Sequence, residues 1–188
     1  MFKKLLGIVS NKQSINLSVY GFGQLVNLVT PLLVIPYIVS VCGEANFGKT
    51  AVGMALNFFL IVFIDYGSDL VGVRDIAINR DNKQRTEHIF TTTYLAKGFL
   101  LSVVLLVATI LFLTIPYFQS EQLLFFFGLT VLVGQFLNPT WFLLGVENVK
   151  WITISNILSK AIYMCLIFIF INSDSDYVYI NLFWGLGM

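Results

Sequence analysis

Two lysines, Lys97 and Lys160, stand inside stretches of the chain that carry no other charge. An ammonium group in an apolar run is costly, and it normally faces a partner, a bundle interior or a wet cavity. Around Lys160 the polar side chains fall at helical spacing, with Asn156, Lys160 and Tyr163 on one face. An earlier stretch carries a second stripe, Asn16, Tyr20, Gln24, Asn27 and Pro31, spaced by four or three residues. Such stripes either hydrogen-bond neighbouring helices or line a polar cavity, and spacing alone leaves both readings open. Lys160 lies roughly 13 Å along a helix from Trp151, within reach of a side chain that snorkels to the headgroups; a cationic cavity wall is the other reading. The candidate cavity residues are therefore Gln24, Asn27, Lys97, Asn156 and Lys160.

A second group of charges is concentrated in "DYGSDLVGVRDIAINRDNKQR", residues 65–85. Asp65 and Asp69 are one helical turn apart, and Arg74 and Asp75 follow Gly72. Either these side chains form interfacial salt bridges or they form a network that breaks and reforms as helices move. Asp65, Asp69, Arg74 and Glu147 are the candidate gate residues. No catalytic constellation accompanies them. There is no Gly-x-Ser-x-Gly, no His-Glu-x-x-His and no phosphate loop, and "YGFGQ" (20–24) sits inside an apolar stretch. Cys42 and Cys165 form no Cys-x-x-Cys, and His88 lies in a charged segment. No enzyme activity, cofactor, metal or nucleic-acid partner is expected.

Lipid must position these residues. The 188 residues are 57% hydrophobic and only 11% charged, against roughly 25% charged in soluble domains. Mean hydropathy is +0.85. Charge-free runs separate Lys12 from Glu44, Lys49 from Asp65, Lys97 from Glu121, Glu121 from Glu147 and Lys160 from Asp174. A membrane helix needs about 20 mainly apolar residues, so spans are predicted at Ser14–Val41, Phe47–Ile64 (extending toward Leu70), Tyr94–Tyr117, Leu123–Leu144 and Trp151–Ile171. A sixth begins near Val178 and reaches only Met188, so a C-terminally truncated bundle is expected. Runs such as "LLFFFGLTVLV" do not alternate, which excludes a β-barrel. The fold class is an all-α polytopic membrane helix bundle, one transmembrane domain over residues 1–188. Lys3, Lys4, Lys12, Arg74, Arg80, Lys83, Arg85 and Lys150 fall on one side of the bilayer and Lys49 alone on the other. The bias of basic residues puts the first group, and the N-terminus, in the cytoplasm. The apolar patch after Lys4 is short, so no cleavable signal is expected.

The phrase "NPTWFLLGVENVK" (138–150) then reads as the cytoplasmic end of the fourth span. Pro139 is expected to loosen the last turns, Trp141 to sit at headgroup depth, and Gly145 to permit the turn before Glu147 and Lys150.

Taken together, these motifs resemble one family. Phe22, Gln24, Pro31 and "IPYI" (35–38), then "CGEANFG" (42–48), are followed by Asp65, Gly67, Gly72, Arg74, Ile76, Ala77 and Arg80, and by Pro139, Trp141, Gly145 and Glu147. The pattern resembles the polysaccharide-export branch of the multidrug/oligosaccharidyl-lipid/polysaccharide superfamily, most closely the O-antigen flippases of the Wzx type. Leu144 departs from it, standing where that family commonly has Gln. The resemblance implies a MATE-like N-terminal lobe that works against a second, C-terminal helix bundle by alternating access. It implies a lipid-linked oligosaccharide on undecaprenyl diphosphate as substrate, moved from the cytoplasmic to the periplasmic leaflet of the bacterial inner membrane. Lys97 and Lys160 would then offset the desolvation of the diphosphate.

Three alternatives make different demands. A drug or organic-cation exporter of the same superfamily needs membrane acids, whereas the charges within the spans here are basic. A membrane-embedded glycan polymerase or transferase needs a large outer loop, and the loops here are short. A non-functional gene fragment would be shown by the sequence downstream of Met188.

Overall fold

The computed structural model describes the backbone of residues 11–188 and the side chains from residue 21 onward. Lys3 and Lys4 lie outside the described residues, as do the side chains of Lys12, Asn16 and Tyr20. Among the described residues there is helix and turn but no strand. That is what a bilayer demands of a chain whose backbone amides must find partners within their own segment.

The first helix, α1, runs Asn11–Asp65, but Gly43 (φ 80°, ψ 160°) breaks it into two arms, residues 11–42 and 44–65. In a straight helix Thr30 and Phe58 would be about 42 Å apart. Instead both line a single cavity of about 350 Å³, so the arms fold back on one another. Gly43 is required for its backbone angles, not for space, since nothing lies within 4 Å of where a Cβ would stand. Past α1, Gly67 (φ 79°) turns the chain into a π-helical turn, Ser68–Gly72. Short α2 (Val73–Asn79) and long α3 (Lys83–Thr114) follow, with Asn82 capping α3 by accepting the Arg85 amide at 3.1 Å. Next come α4 (Pro116–Gln119), α5 (Gln122–Leu137), α6 (Thr140–Gly145) and α7 (Val149–Phe170), then a 3₁₀ turn (Asp174–Tyr179) and α8 (Ile180–Leu186).

Four stretches are long and apolar enough to cross a membrane: Gly21–Asp65, Lys83–Thr114, Gln122–Gly145 and Val149–Phe170. With the first divided at Gly43, they match the five complete spans read from the sequence, and α8 starts where the sixth was expected. The chain is an all-α, multi-pass membrane bundle. Its outward faces are apolar, as at Leu28, Leu32, Phe59, Leu95, Phe99 and Ile169, all more than half exposed.

Two cores hold it together. The first arm packs Val34 and Ile38 against Ile167 and Ile171 of α7 and its end, and against Ile180 and Phe183 of α8. The second arm packs Leu60 and Ile64 against Leu101, Val104 and Phe112 of α3 and Phe125 and Leu132 of α5. Helices α5 and α8 join the two halves through glycines. A Cβ on Gly185 would stand 2.5 Å from the backbone of Val131, so only the bare backbone permits this approach.

Two local expectations are corrected. Asp65 and Asp69 do not share a regular helical turn, because Gly67 interrupts the helix between them. The fourth span is not a loosened helix: α5 stops at Leu137, Asn138 accepts the Thr140 amide at 3.0 Å, and α6 begins afresh. Gly145 serves packing, since a Cβ there would meet Ile76 at 2.6 Å, while the positive-φ residue of the turn is Glu147 (φ 56°).

Candidate functional site

The face that carries Asn156, Lys160 and Tyr163 on α7 meets Asn27 of the first arm, Asn138 of the α5–α6 break and Trp184 of α8 around a polar cavity of about 120 Å³. Ser159, Gly187 and Met188 complete its lining. Pro31 has no N–H to offer the carbonyl of Asn27, so the helix leaves an acceptor free at this level. Lys160 Nζ lies 4.0 Å from the centre of the Trp184 ring. A desolvated ammonium over an indole face gains about 2 kcal/mol or more. Among the described residues, no carboxylate side chain lines the cavity. Amide groups and one cation, with no acidic side chain among the lining residues, give the pocket the donors and positive charge that an anion needs.

Of the five expected cavity residues, Asn27, Asn156 and Lys160 converge here. Gln24 is exposed and does not line the cavity. Lys97 is elsewhere, and lines two other cavities. Its Nζ lies 2.7 Å from Asp65 Oδ1, with side-chain exposures of 3% and 14%. Gln135 Nε2 donates to the other carboxylate oxygen of Asp65 at 2.8 Å. Three long helices are tied at this point, and the charge of Lys97 is already matched. Asn138, Ser159 and Trp184 were not anticipated. Asn138 was legible only as a residue before a proline, and Trp184 lay in a stretch too short to read as a span.

Asp69 faces the Lys97 pair across a second cavity, of about 240 Å³, lined also by Gln135, Asn138, Thr140, Trp141 and Leu144. Partial burial pushes the Asp69 carboxyl above its ordinary pKa; the charge of Asp65 acts in the same direction and Lys97 pulls part of the way back. Leu144, the position that departs from the family pattern, gives this cavity an apolar wall. Asn138 lines both cavities.

Trp141 is not a headgroup anchor. It is 2% exposed, stacked on Phe90 with ring centres 5.8 Å apart and close to Tyr94. A Cβ on Gly72 would stand 3.0 Å from its ring. The phrase that looked like a helix end is thus a plug packed against the π-helical turn. Of the gate candidates, Asp65 and Asp69 gather at Lys97. Glu147 pairs with Arg80 at 2.8 Å, and Arg74 pairs, among the described residues, only with its neighbour Asp75, at 3.2 Å. Both of these pairs are well exposed and contribute little.

At the opposite end, Lys49 and Tyr177 both reach Glu121, each at 2.5 Å. Burial opposes ionisation of Glu121, but the hydrogen bonds from Lys49 and Tyr177 and the charge of Lys49 outweigh it, so its pKa falls below the usual carboxylate range. Lys49 is thereby paired with an acid distant in sequence. Asn46 adds a hydrogen bond to the Asp174 carbonyl at 3.2 Å.

A family described as polysaccharide biosynthesis protein matches residues 15–185. A curated relative from Escherichia coli (strain K12), named as an O-antigen transporter, is 33% identical over 150 residues, covering 80% of this chain and 36% of that protein. A relative of the same name from Shigella dysenteriae is 25% identical over 164 residues, covering 86% of this chain and 40% of its own length. The chain therefore spans well under half the length of these curated relatives. No solved structure matches it.

Proposed function

The chain belongs to the polysaccharide biosynthesis protein family, and on that premise we propose that it is one helix bundle of a transporter, not an enzyme. The bundle moves lipid-linked O-antigen or related polysaccharide units from the cytoplasmic to the periplasmic leaflet of the bacterial inner membrane. A second, C-terminal bundle completes the pathway, and the two alternate access by rocking against one another.

The observation that carries this reading is the cavity at Lys160. Two helices far apart in sequence bring Asn27, Asn156 and the cation of Lys160 together around one polar cavity with no acidic side chain in its lining. This chemistry suits the diphosphate that links a glycan to its carrier lipid, and it does not suit an organic cation. The Asp65–Lys97–Gln135 cluster then acts as the cytoplasmic lock and the Lys49–Glu121–Tyr177 cluster as the periplasmic one. Placing the N-terminus in the cytoplasm agrees with this division. Arg74, Arg80 and Lys83 follow Asp65 in the chain, and Lys49 belongs to the other cluster.

The test uses a strain that lacks its own O-antigen transporter, with this chain expressed together with the C-terminal part of the Escherichia coli relative. Lys160→Ala should abolish surface O-antigen at unchanged protein abundance, and Lys160→Arg should retain part of it. Full display from Lys160→Ala would show that Lys160 only snorkels. Export-dependent reporter activity from a fusion after Arg85 would overturn the orientation.

A further inference from the structure

The ammonium of Lys160 has two places to lie. Its side chain leaves α7 in the middle of the span and is half-buried. One orientation runs along α7 toward exposed Trp151 and the headgroups, and the other points into the polar cavity. Charge pairing does not choose between them, since among the described residues no carboxylate pairs with Lys160. What the ammonium meets is the face of Trp184, with the ring centre 4.0 Å from Nζ.

That ring is held by its own helix and not by the lysine. On one side of α8, Gly185 lets the backbone approach α5, where a Cβ would stand 2.5 Å from Val131 N. On the other, a Cβ on Gly187 would stand 2.9 Å from the Ser159 carbonyl oxygen and 3.0 Å from Tyr163 Cβ, so α8 also closes tightly on α7. Ser159 Oγ donates to the Met188 carbonyl at 3.2 Å and ties the same end. Tyr163 meets the indole edge to face, with ring centres 5.0 Å apart and planes at 75°. Trp184 Nε1, by contrast, is buried without a hydrogen-bond partner. An unpaired buried N–H is a cost that a phenyl ring would not carry. What an indole offers over a phenyl ring is the stronger attraction of its face for a cation.

We propose that Trp184 is the positioning residue of the cavity: its indole face holds the Lys160 ammonium beside Asn27, Asn138 and Asn156 and keeps it from turning to the headgroups. A carboxylate in that place would fix the ammonium too, but it would neutralise the charge and compete with an incoming anion. A ring face fixes the position and leaves the charge uncompensated. It also occupies one side of the ammonium only, so N–H donors remain for a ligand on the other side. The proposal rests on the transport reading above for what the ammonium serves, and not for where it lies.

The experiment follows acylation of single lysines by acetic anhydride, read by mass spectrometry of the full chain in phosphatidylcholine nanodiscs. Only free, unprotonated amine reacts, so an ammonium held on the ring is protected. Exposed Lys150 calibrates the reagent, and Lys97, buried on Asp65, reports an intact bundle. Trp184→Met keeps much of the volume without a ring face and should speed acylation of Lys160 about tenfold, the scale of a desolvated cation–π contact. Trp184→Phe keeps a weaker face and should speed it only about two- to fourfold. Lys97 and Lys150 should react as in the parent. An unchanged Lys160 rate in both variants would overturn the proposal and leave Trp184 as packing alone. Equal acceleration by Phe and Met would also overturn it, since the ring face would not be what holds the ammonium. If Trp184→Met speeds Lys97 as well, the bundle has loosened and Trp184→Phe decides alone: acceleration at an unchanged Lys97 rate supports the proposal, and none overturns it. Inorganic diphosphate, added to the parent, should slow Lys160 selectively. Its failure to do so would remove the anion from the transport reading while leaving the Trp184 contact standing.

Discussion

Replacing Lys97 with methionine keeps most of its volume but removes the cation from a pair that is almost fully buried. At 2.7 Å and an effective dielectric of about 20, the attraction in that pair is about 6 kcal/mol. Desolvation of two charges offsets much of it, so the pair contributes little net stability compared with an apolar replacement. Removing one partner is different, because Asp65 would keep its desolvation cost with only the Gln135 amide as partner. Lys97→Met should therefore destabilise the chain by about 3–5 kcal/mol. The double variant Asp65→Leu/Lys97→Met should recover most of that loss, giving a coupling energy of about 3 kcal/mol or more. Gln135→Leu should cost about 1.5–3 kcal/mol in the parent and almost nothing in the double variant, since its acceptor is gone. The assay is reversible unfolding of the parent, of each variant including Asp65→Leu alone, and of Gln135→Leu in the double variant, in mixed micelles, followed by circular dichroism. A loss below about 1 kcal/mol for Lys97→Met would show that water screens the pair. The Lys97 cluster would then be a wet cavity and not a lock.

Three further outcomes follow from single positions. Gly43→Ala and Gly43→Asn should each lower stability by about 1–3 kcal/mol, and Asn should give no rescue, because φ 80° with ψ 160° is a region essentially confined to glycine; thermal unfolding of the two variants checks this. Trp141→Ala should cost about 3–5 kcal/mol in the same unfolding assay, the cost of emptying a core site, where an interfacial anchor would cost far less. The Glu121 pKa lies below its unfolded value of about 4.3, so the stability it supplies is fully present above that value and is lost as pH falls through the lower folded pKa. The stability difference between the parent and Glu121→Gln should accordingly be constant from pH 7 to about pH 5 and disappear in stronger acid, read from unfolding curves at each pH.

The number and position of the spans were legible in the sequence because lipid imposes one rule on every residue of a span. Charge-free runs between Lys12 and Glu44, or between Lys97 and Glu121, cannot be satisfied in water, and helix is the only conformation that satisfies their backbones in hydrocarbon. Half of the polar cavity was legible for a related reason. Asn156, Lys160 and Tyr163 share a face at any helical spacing, whatever they touch. Their meeting with Asn27 was not legible, since it depends on how the first arm lies against α7. The phrase around Trp141 misled because its composition suits a helix end at the headgroups. Its burial comes from Gly72, Phe90 and Tyr94, residues that precede it by 47 to 69 positions.

The two lysines show where the sequence stopped. Lys97 and Lys160 both stand in apolar stretches, and nothing in their neighbourhoods distinguishes them. Asp65 is the last residue of α1, and Gln135 belongs to α5. Only the packing of α1, α3 and α5 brings a carboxylate and an amide onto Lys97 and leaves Lys160 with an indole face. Coulomb interactions in a low dielectric are decided over a few ångströms. Which cation is paired with a carboxylate and which lies over an indole was therefore decided by tertiary contacts that no local spacing encodes.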